Sequence, residues 1–281
     1  MGDFVGCPAE ALKAAEAVCG AVELTAITDR RGCAVWKAAG PAASVAIKYG
    51  RGEGTEATVR EARVLGRLPG RRVTAGRAGE GSWLVTPWLH GPSTWQLFGP
   101  VRKGIRGHDQ VLAGAVELCR AVAELHAAGW AHGDLQPAHG VHTADGVRLL
   151  DFAWSWREGA RPWPAFHGGI THLVAPELAE RIVTDPRSAT PAPAADVYAL
   201  AGTLWTCTTG RWPLDYAAAG LPPQTEPAGR REAIATGRIP LDRATPWPSL
   251  QSALRPVLLD GPAARPTAAE LAAVLAATVT A

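Results

Sequence analysis

A chain of 281 residues is long enough for one large domain or two tightly packed lobes, and at that size it needs no cross-links to hold a core. Apolar residues make up 47% and the formal net charge is +2, which excludes a disordered chain and gives no electrostatic basis for nucleic acid or an anionic membrane as partner. The five cysteines (Cys7, Cys19, Cys33, Cys119 and Cys207) are scattered and lack a C-x-x-C pair, which argues against a disulfide framework or zinc site and for reduced thiols.

The N-terminal run Met1-Gly2-Asp3-Phe4-Val5 lacks a basic-then-apolar signal pattern. Gly2 invites a myristoylation reading, but Gly6 stands where Ser or Thr is required. Residues 8–19 have helical composition and form a leading segment, 1–20. From 22 to 48 the pattern turns to β: Val22-Glu23-Leu24, Cys33-Ala34-Val35-Trp36 and Val45-Ala46-Ile47, separated by Gly, Asp and Pro turns. Residues 55–68 read as a helix with Val59, Ala62, Val64, Leu65 and Leu68 on its apolar stripe. A further strand, 83–86, leads into the connector Pro87-Trp88-Leu89-His90-Gly91.

Beyond the connector the chain turns helical. Residues 108–128 carry Val111, Leu112, Ala115, Val116, Cys119, Val122 and Leu125 at helical spacing. Later helices are expected at 196–208, 230–236, 248–259 and 267–277, the last opened by Thr267 as N-cap with Glu270 three residues on. The stretches 184–195 and 217–228 read as loops. The most apolar run, 197–210, is shorter than a membrane span and follows Asp196, so it reads as a buried core helix. The expected location is the cytoplasm.

Phosphoryl transfer from ATP requires a cation on the phosphates, an acid to anchor Mg²⁺ and a carboxylate to orient the attacking hydroxyl. Val45-Ala46-Ile47-Lys48 matches V-A-I-K, and its Lys is one of only four in the chain, at 13, 37, 48 and 103. Glu61 lies on the next helix, with Glu56 and Glu53 as rival partners for that Lys. The run 132–139, His-Gly-Asp-Leu-Gln-Pro-Ala-His, matches H-R-D-L-x-x-x-N except at Gly133 and His139. Seventeen residues after Asp134, Asp151-Phe152-Ala153 stands in the place of D-F-G, and Ala175-Pro176-Glu177 is an A-P-E.

Together these motifs resemble those of the protein kinase superfamily, and the chain looks like a divergent member of its eukaryotic-like bacterial Ser/Thr branch. The resemblance implies an α+β, bilobal protein-kinase-like fold, with a small β-rich N-lobe carrying one main helix (21–88) and a larger helical C-lobe (89–281). It implies Asp134, Lys48 and Glu61 as catalytic residues. Lys48, Thr86 as gatekeeper, Pro87, Leu89, Gly32 and Asp151 would bind nucleotide, and Asp151 and His139 would hold metal. ATP and Mg²⁺ (or Mn²⁺) are the implied cofactors. Asp196 resembles the family's brace for the catalytic loop, and Arg265 the late Arg that pairs with Glu177, a pair whose disruption should cost ~3–5 kcal/mol.

Four departures shape the functional expectation. The segment 28–35 holds one Gly, at 32, where amides should approach phosphates, with Arg30 or Arg31 as charged substitutes. His139 replaces an oxygen ligand with an imidazole, which suits Mg²⁺ poorly. Gly133 removes the Arg that reads an activation-segment phosphate, and between Asp151 and Glu177 the only hydroxyls are Ser155 and Thr171. Gln136 replaces the Lys that contacts the transferred phosphate. The expected function is therefore an unswitched ATP:hydroxyl phosphotransferase acting on Ser/Thr of a protein or peptide. One narrower version is a dedicated lanthipeptide-type biosynthetic substrate handed to a partner enzyme. Trp154, Trp156 and Trp163 suggest an apolar surface for an acceptor or partner. The alternatives are a pseudokinase scaffold and a small-molecule phosphotransferase resembling aminoglycoside and choline kinases.

Overall fold

A computed structural model describes residues 4–105, 108–160, 166 and 168–278; Gly2 and Trp163 lie outside the described residues. The fold is mixed α+β, with a five-stranded antiparallel sheet and a helical remainder, compatible with a kinase-like fold. The chain divides into two compact units, one ending at Leu89 and one beginning at His90.

The first unit contains α1 (Ala9–Cys19), β1 (Glu23–Arg30), β2 (Cys33–Ala39), β3 (Ser44–Gly50), α2 (Glu53–Leu65), β4 (Thr74–Ala78) and β5 (Gly81–Pro87), with sheet order β1-β2-β3-β5-β4. Successive strand residues point to opposite faces. Ala34, Trp36 and Ala38 of β2 and Val45 and Ile47 of β3 therefore share one face, and Ala11, Ala15 and Cys19 of α1, four residues apart, pack on it. The approach is close: a Cβ at Gly40 would overlap the Cys19 carbonyl. Lys48, next to Ile47, projects from the opposite face, where α2 lies against β3 and β5.

Strand β4 was not expected from Thr-Ala-Gly-Arg-Ala. It pairs because Gly76 sits opposite Trp83, whose ring covers it, while Trp83 Nε1 donates to the Arg77 carbonyl at 3.3 Å. The turn between β1 and β2 is a two-residue hairpin with Arg31 at φ 52° and Gly32 at φ 72°, the left-handed pair such turns require. Gly32 is packed against its own unit: its carbonyl accepts from Arg51 N–H at 2.7 Å, and a Cβ there would collide with the Arg51 carbonyl. Arg51 also pairs with Asp29 at 2.7 Å.

The second unit contains α3 (Thr94–Leu97), α4 (Gly99–Arg102), α5 (His108–Ala127), β6 (Gly140–Thr143), β7 (Gly146–Leu149), a 3₁₀ turn (Thr171–Leu173), α6 (Pro176–Thr184), α7 (Pro193–Thr209), α8 (Pro227–Ala235), α9 (Pro248–Leu259) and α10 (Ala268–Ala277). Helix α7 is buried continuously from Ala195 to Thr208, as its all-round apolar sequence requires. It starts at Pro193 rather than Asp196, and α8 starts at Pro227 rather than Arg230. In both, proline occupies the first helical turn, where its missing N–H costs nothing. The Thr267/Glu270 capping box is present on α10, which packs on α5. No helix among the described residues is long and apolar enough to cross a membrane.

Glu177, in the first turn of α6, meets Arg265 in a fork of two bonds, 2.5 and 2.9 Å. The guanidinium also donates to the Asp260 carbonyl at 3.1 Å and the Ala194 carbonyl at 3.2 Å, joining α6, the start of α7 and the end of α9.

Candidate active site

The residues 132–139 form the loop between α5 and β6, and three buried contacts fix its shape. Asp196, in the first turn of α7, accepts from the His132 N–H at 2.5 Å and the Gly133 N–H at 2.9 Å, with His126 Nε2 at 3.0 Å. A buried carboxylate is tolerated there because three donors surround it. His132 is fully buried. Its Nε2–H donates to the Leu150 carbonyl at 3.0 Å, and its Nδ1 accepts from the Asp134 N–H at 3.2 Å. One ring thus ties the loop of Asp134 to the strand end that precedes Asp151. Ser155 Oγ–H donates to the His132 carbonyl at 3.0 Å, and Ala131 and Trp156 exchange backbone bonds of 2.8 and 2.9 Å.

His132 must be neutral to donate at Nε2 and accept at Nδ1. Burial, against the opposing pull of Asp196, pushes its pKa down to about 4 from 6.5. The unfolded chain therefore binds the proton more readily, so this histidine's contribution to stability is full above pH 6.5 and is lost as pH falls towards 4. The expected result is a melting temperature that declines between about pH 7 and pH 4.5, with a shallower decline in His132→Gln. Equal slopes in the two proteins would assign the acid sensitivity elsewhere.

Asp134, His139 and Asp151 converge: one ligand atom from each lies within 4.8 Å of the others. Asp151 holds φ at 60°, a left-handed conformation that Asp tolerates better than most side chains. His139 Nδ1–H donates to the Asp134 carbonyl at 2.8 Å, which leaves Nε2 facing Asp151 Oδ2 at 4.0 Å. That is how protein ligands to metals are commonly held, with the second ring nitrogen bonded to a carbonyl. Gln136 Nε2 donates to Asp134 Oδ1 at 3.2 Å, and the Asp134 side chain is only 10% exposed. Gly169 lies directly over that oxygen, where a Cβ would overlap it. Gly133 has φ 77°, and a Cβ on it would sit 2.6 Å from the Trp154 carbonyl.

In the first unit, Lys48 Nζ meets Glu61 Oε2 at 2.6 Å, both side chains largely buried. Of the rival acids, Glu56 is exposed and pairs with the buried Arg60 at 3.2 Å, and Glu53 opens that helix. Thr86 and Pro87 end β5, Trp88 N–H donates to the Ser44 carbonyl at 3.0 Å, and Leu89 is half-buried. Trp154 is engaged edge-on by Phe166 at 5.3 Å and Trp156 is half-buried beside Ala131, so neither stands out as an open apolar surface. The contacts that sequence reasoning missed are the His132 staple, the Ser155 bond to it and the Gly169 cover. Each joins residues 18 or more apart in the chain with a backbone atom on at least one side, which leaves no residue-type signal.

No protein-family model matches the chain. Over 131 residues, 47% of its length, it is 29% identical to the probable serine/threonine-protein kinase PkwA of Thermomonospora curvata, and the match covers 17% of that protein. The relationship is kinase-like. The chain thus spans about a sixth of the length of the curated relative it matches.

Proposed function

We propose that the protein is an ATP-dependent phosphotransferase of protein-kinase type that phosphorylates Ser or Thr hydroxyls of a protein or peptide in the cytoplasm. The observation that carries this reading is the convergence of Asp134, His139 and Asp151 on loops fixed by Asp196 and His132. In it Asp134 orients the acceptor hydroxyl and takes its proton. Lys48, held by Glu61, neutralises phosphate oxygens. Thr86, Pro87 and Leu89 receive adenine, the Pro87 carbonyl accepting from its amino group. Gly32 contributes backbone near the phosphates, although its carbonyl is already engaged by Arg51.

The donor set fits a divalent cation: Asp151 offers a carboxylate oxygen and His139 a ring nitrogen. A bound Mg²⁺ or Mn²⁺ would offset the charge that develops on the transferred phosphoryl oxygens. Imidazole suits Mn²⁺ better than Mg²⁺, which prefers oxygen. His139→Asn is therefore expected to shift metal preference towards Mg²⁺, read by Mn²⁺ titration under electron paramagnetic resonance with an ATP analogue present. Unchanged affinity for both metals would make His139 purely structural.

Supporting a polypeptide acceptor over a small one is the Glu177–Arg265 fork, which fixes α6 at the end of the segment 151–177. Ser155 is buried on His132, so phosphorylation there is blocked, and a dedicated biosynthetic peptide passed to a partner enzyme fits such an unswitched kinase. A second reading, a pseudokinase that binds without turnover, is favoured by the Gly169 cover on Asp134. Radiolabel transfer from ATP with Mg²⁺ or Mn²⁺ decides between them: tight nucleotide binding with neither hydrolysis nor transfer overturns the enzyme.

A further inference from the structure

Gln136 links the Asp134 carboxylate to an open cleft. While its amide donates to Asp134 Oδ1, it also lines a cleft of about 510 Å³ in the second unit, within the size range of ligand sites. Ile170 borders both this cleft and the small cavity beside Asp134. Two of its walls are indoles, Trp95 on α3 and Trp212 after α7, and each is fixed from behind. The Arg102 guanidinium lies 3.5 Å from the Trp95 ring centroid, and it donates to the Trp95 and Cys207 carbonyls at 2.7 Å each. His172 stacks on Trp212 at 4.5 Å, and is itself held by the Tyr216 hydroxyl at 2.9 Å and Arg230 at 3.2 Å. The walls are therefore in place before anything binds, which lowers the cost of binding.

The charges around the cleft say what it accepts. Among the described residues, the lining contains no carboxylate. Its one charged member is Arg211, 69% exposed with Asp242 at 3.5 Å, and Arg102 and Arg230 add positive charge behind the walls.

We propose that this cleft holds the acceptor polypeptide next to its phosphorylated Ser or Thr, and selects a neutral or acidic chain bearing an aromatic or aliphatic residue. The proposal rests on the kinase reading above. Trp95 and Trp212 grip the apolar side chain, and Arg211 rejects basic neighbours. A polycationic acceptor of aminoglycoside type would meet like charge here with no lining carboxylate to receive it.

The test uses short peptides identical except for Phe, Glu or Arg flanking the acceptor Ser, and a second set with Ala in place of that Ser. Binding of the Ala set is read by fluorescence anisotropy and phosphorylation of the Ser set by kcat/KM. The Phe peptide is expected to bind at least about tenfold more tightly than the Arg peptide. Trp212→Ala should weaken the Phe peptide by about tenfold, and Arg211→Glu should erase the discrimination against Arg. Arg211 is exposed, so its variant keeps the test open if Trp212→Ala does not fold. Equal binding of Phe and Arg peptides, or an aminoglycoside that displaces the Phe peptide, overturns the proposal. Selective binding without phosphate transfer keeps the cleft and removes the enzyme; transfer indifferent to the flanking residue does the reverse.

Discussion

Replacing Asp134 with Asn is expected to lower γ-phosphoryl transfer about 10²–10⁴-fold while leaving affinity for an ATP analogue nearly unchanged. The substitution keeps the side chain's size, and an Asn carbonyl can still accept the Gln136 amide that bonds Oδ1 at 3.2 Å. The backbone contacts of residue 134 are untouched by the change: its N–H bonds His132 and its carbonyl accepts from His139. What disappears is the negative charge, which on the proposed reading orients and deprotonates the acceptor. Calorimetry for the nucleotide and single-turnover labelling for the transfer separate the two. A parallel loss of both would give Asp134 a structural role instead. Lys48→Ala is a blunter probe, because it takes from the buried Glu61 a partner at 2.6 Å and so perturbs the first unit as well.

Arg265→Ala is expected to destabilise the protein by about 3–5 kcal/mol, read by urea unfolding of the second unit. The Arg265 side chain is 2% exposed and its Glu177 partner 20%. Truncation leaves the Glu177 carboxylate without its fork and removes donors from the Asp260 and Ala194 carbonyls. The guanidinium also lies 5.0 Å from the Tyr198 ring centroid, so stacking is lost with the charge. Adding Glu177→Ala to this variant should cost less than the sum of the two single changes, since the first has already broken the pair. A loss below about 1 kcal/mol would place the fork among ordinary surface ion pairs.

Much of this arrangement was legible in particular residues. The strands around Lys48 and the helix after it were read from β-rich runs and an apolar stripe. The sequence left Glu61, Glu56 and Glu53 open as partners of Lys48; the structure pairs it with Glu61, which shares the buried side of α2 with Thr58 and Leu65. The all-round apolar sequence of α7 and the capping box of α10 read directly. The β6–β7 hairpin was signalled by Asp145-Gly146 and overlooked. Strand β4 carries no such signal, because its stability comes from Trp83 across the ladder rather than from its own side chains. The cleft walls were also hidden: Trp95 and Trp212 are far apart in sequence, and only the packing of Arg102 and His172 makes them a pair.

Gly133 bears on how this protein could change over generations. A side chain at 133 meets the Trp154 carbonyl at 2.6 Å and Pro191 at 3.0 Å, on a backbone at φ 77°, and the nearby Ser155 hydroxyl is spent on the His132 carbonyl. A single codon change to Arg at 133 would thus install a phosphate reader only if the neighbouring chain moved. Nor would an accessible hydroxyl at 155 await it. On the proposed reading, a phosphate sensor at 133 would need the Trp154 and Pro191 stretches to move as well, rather than one substitution.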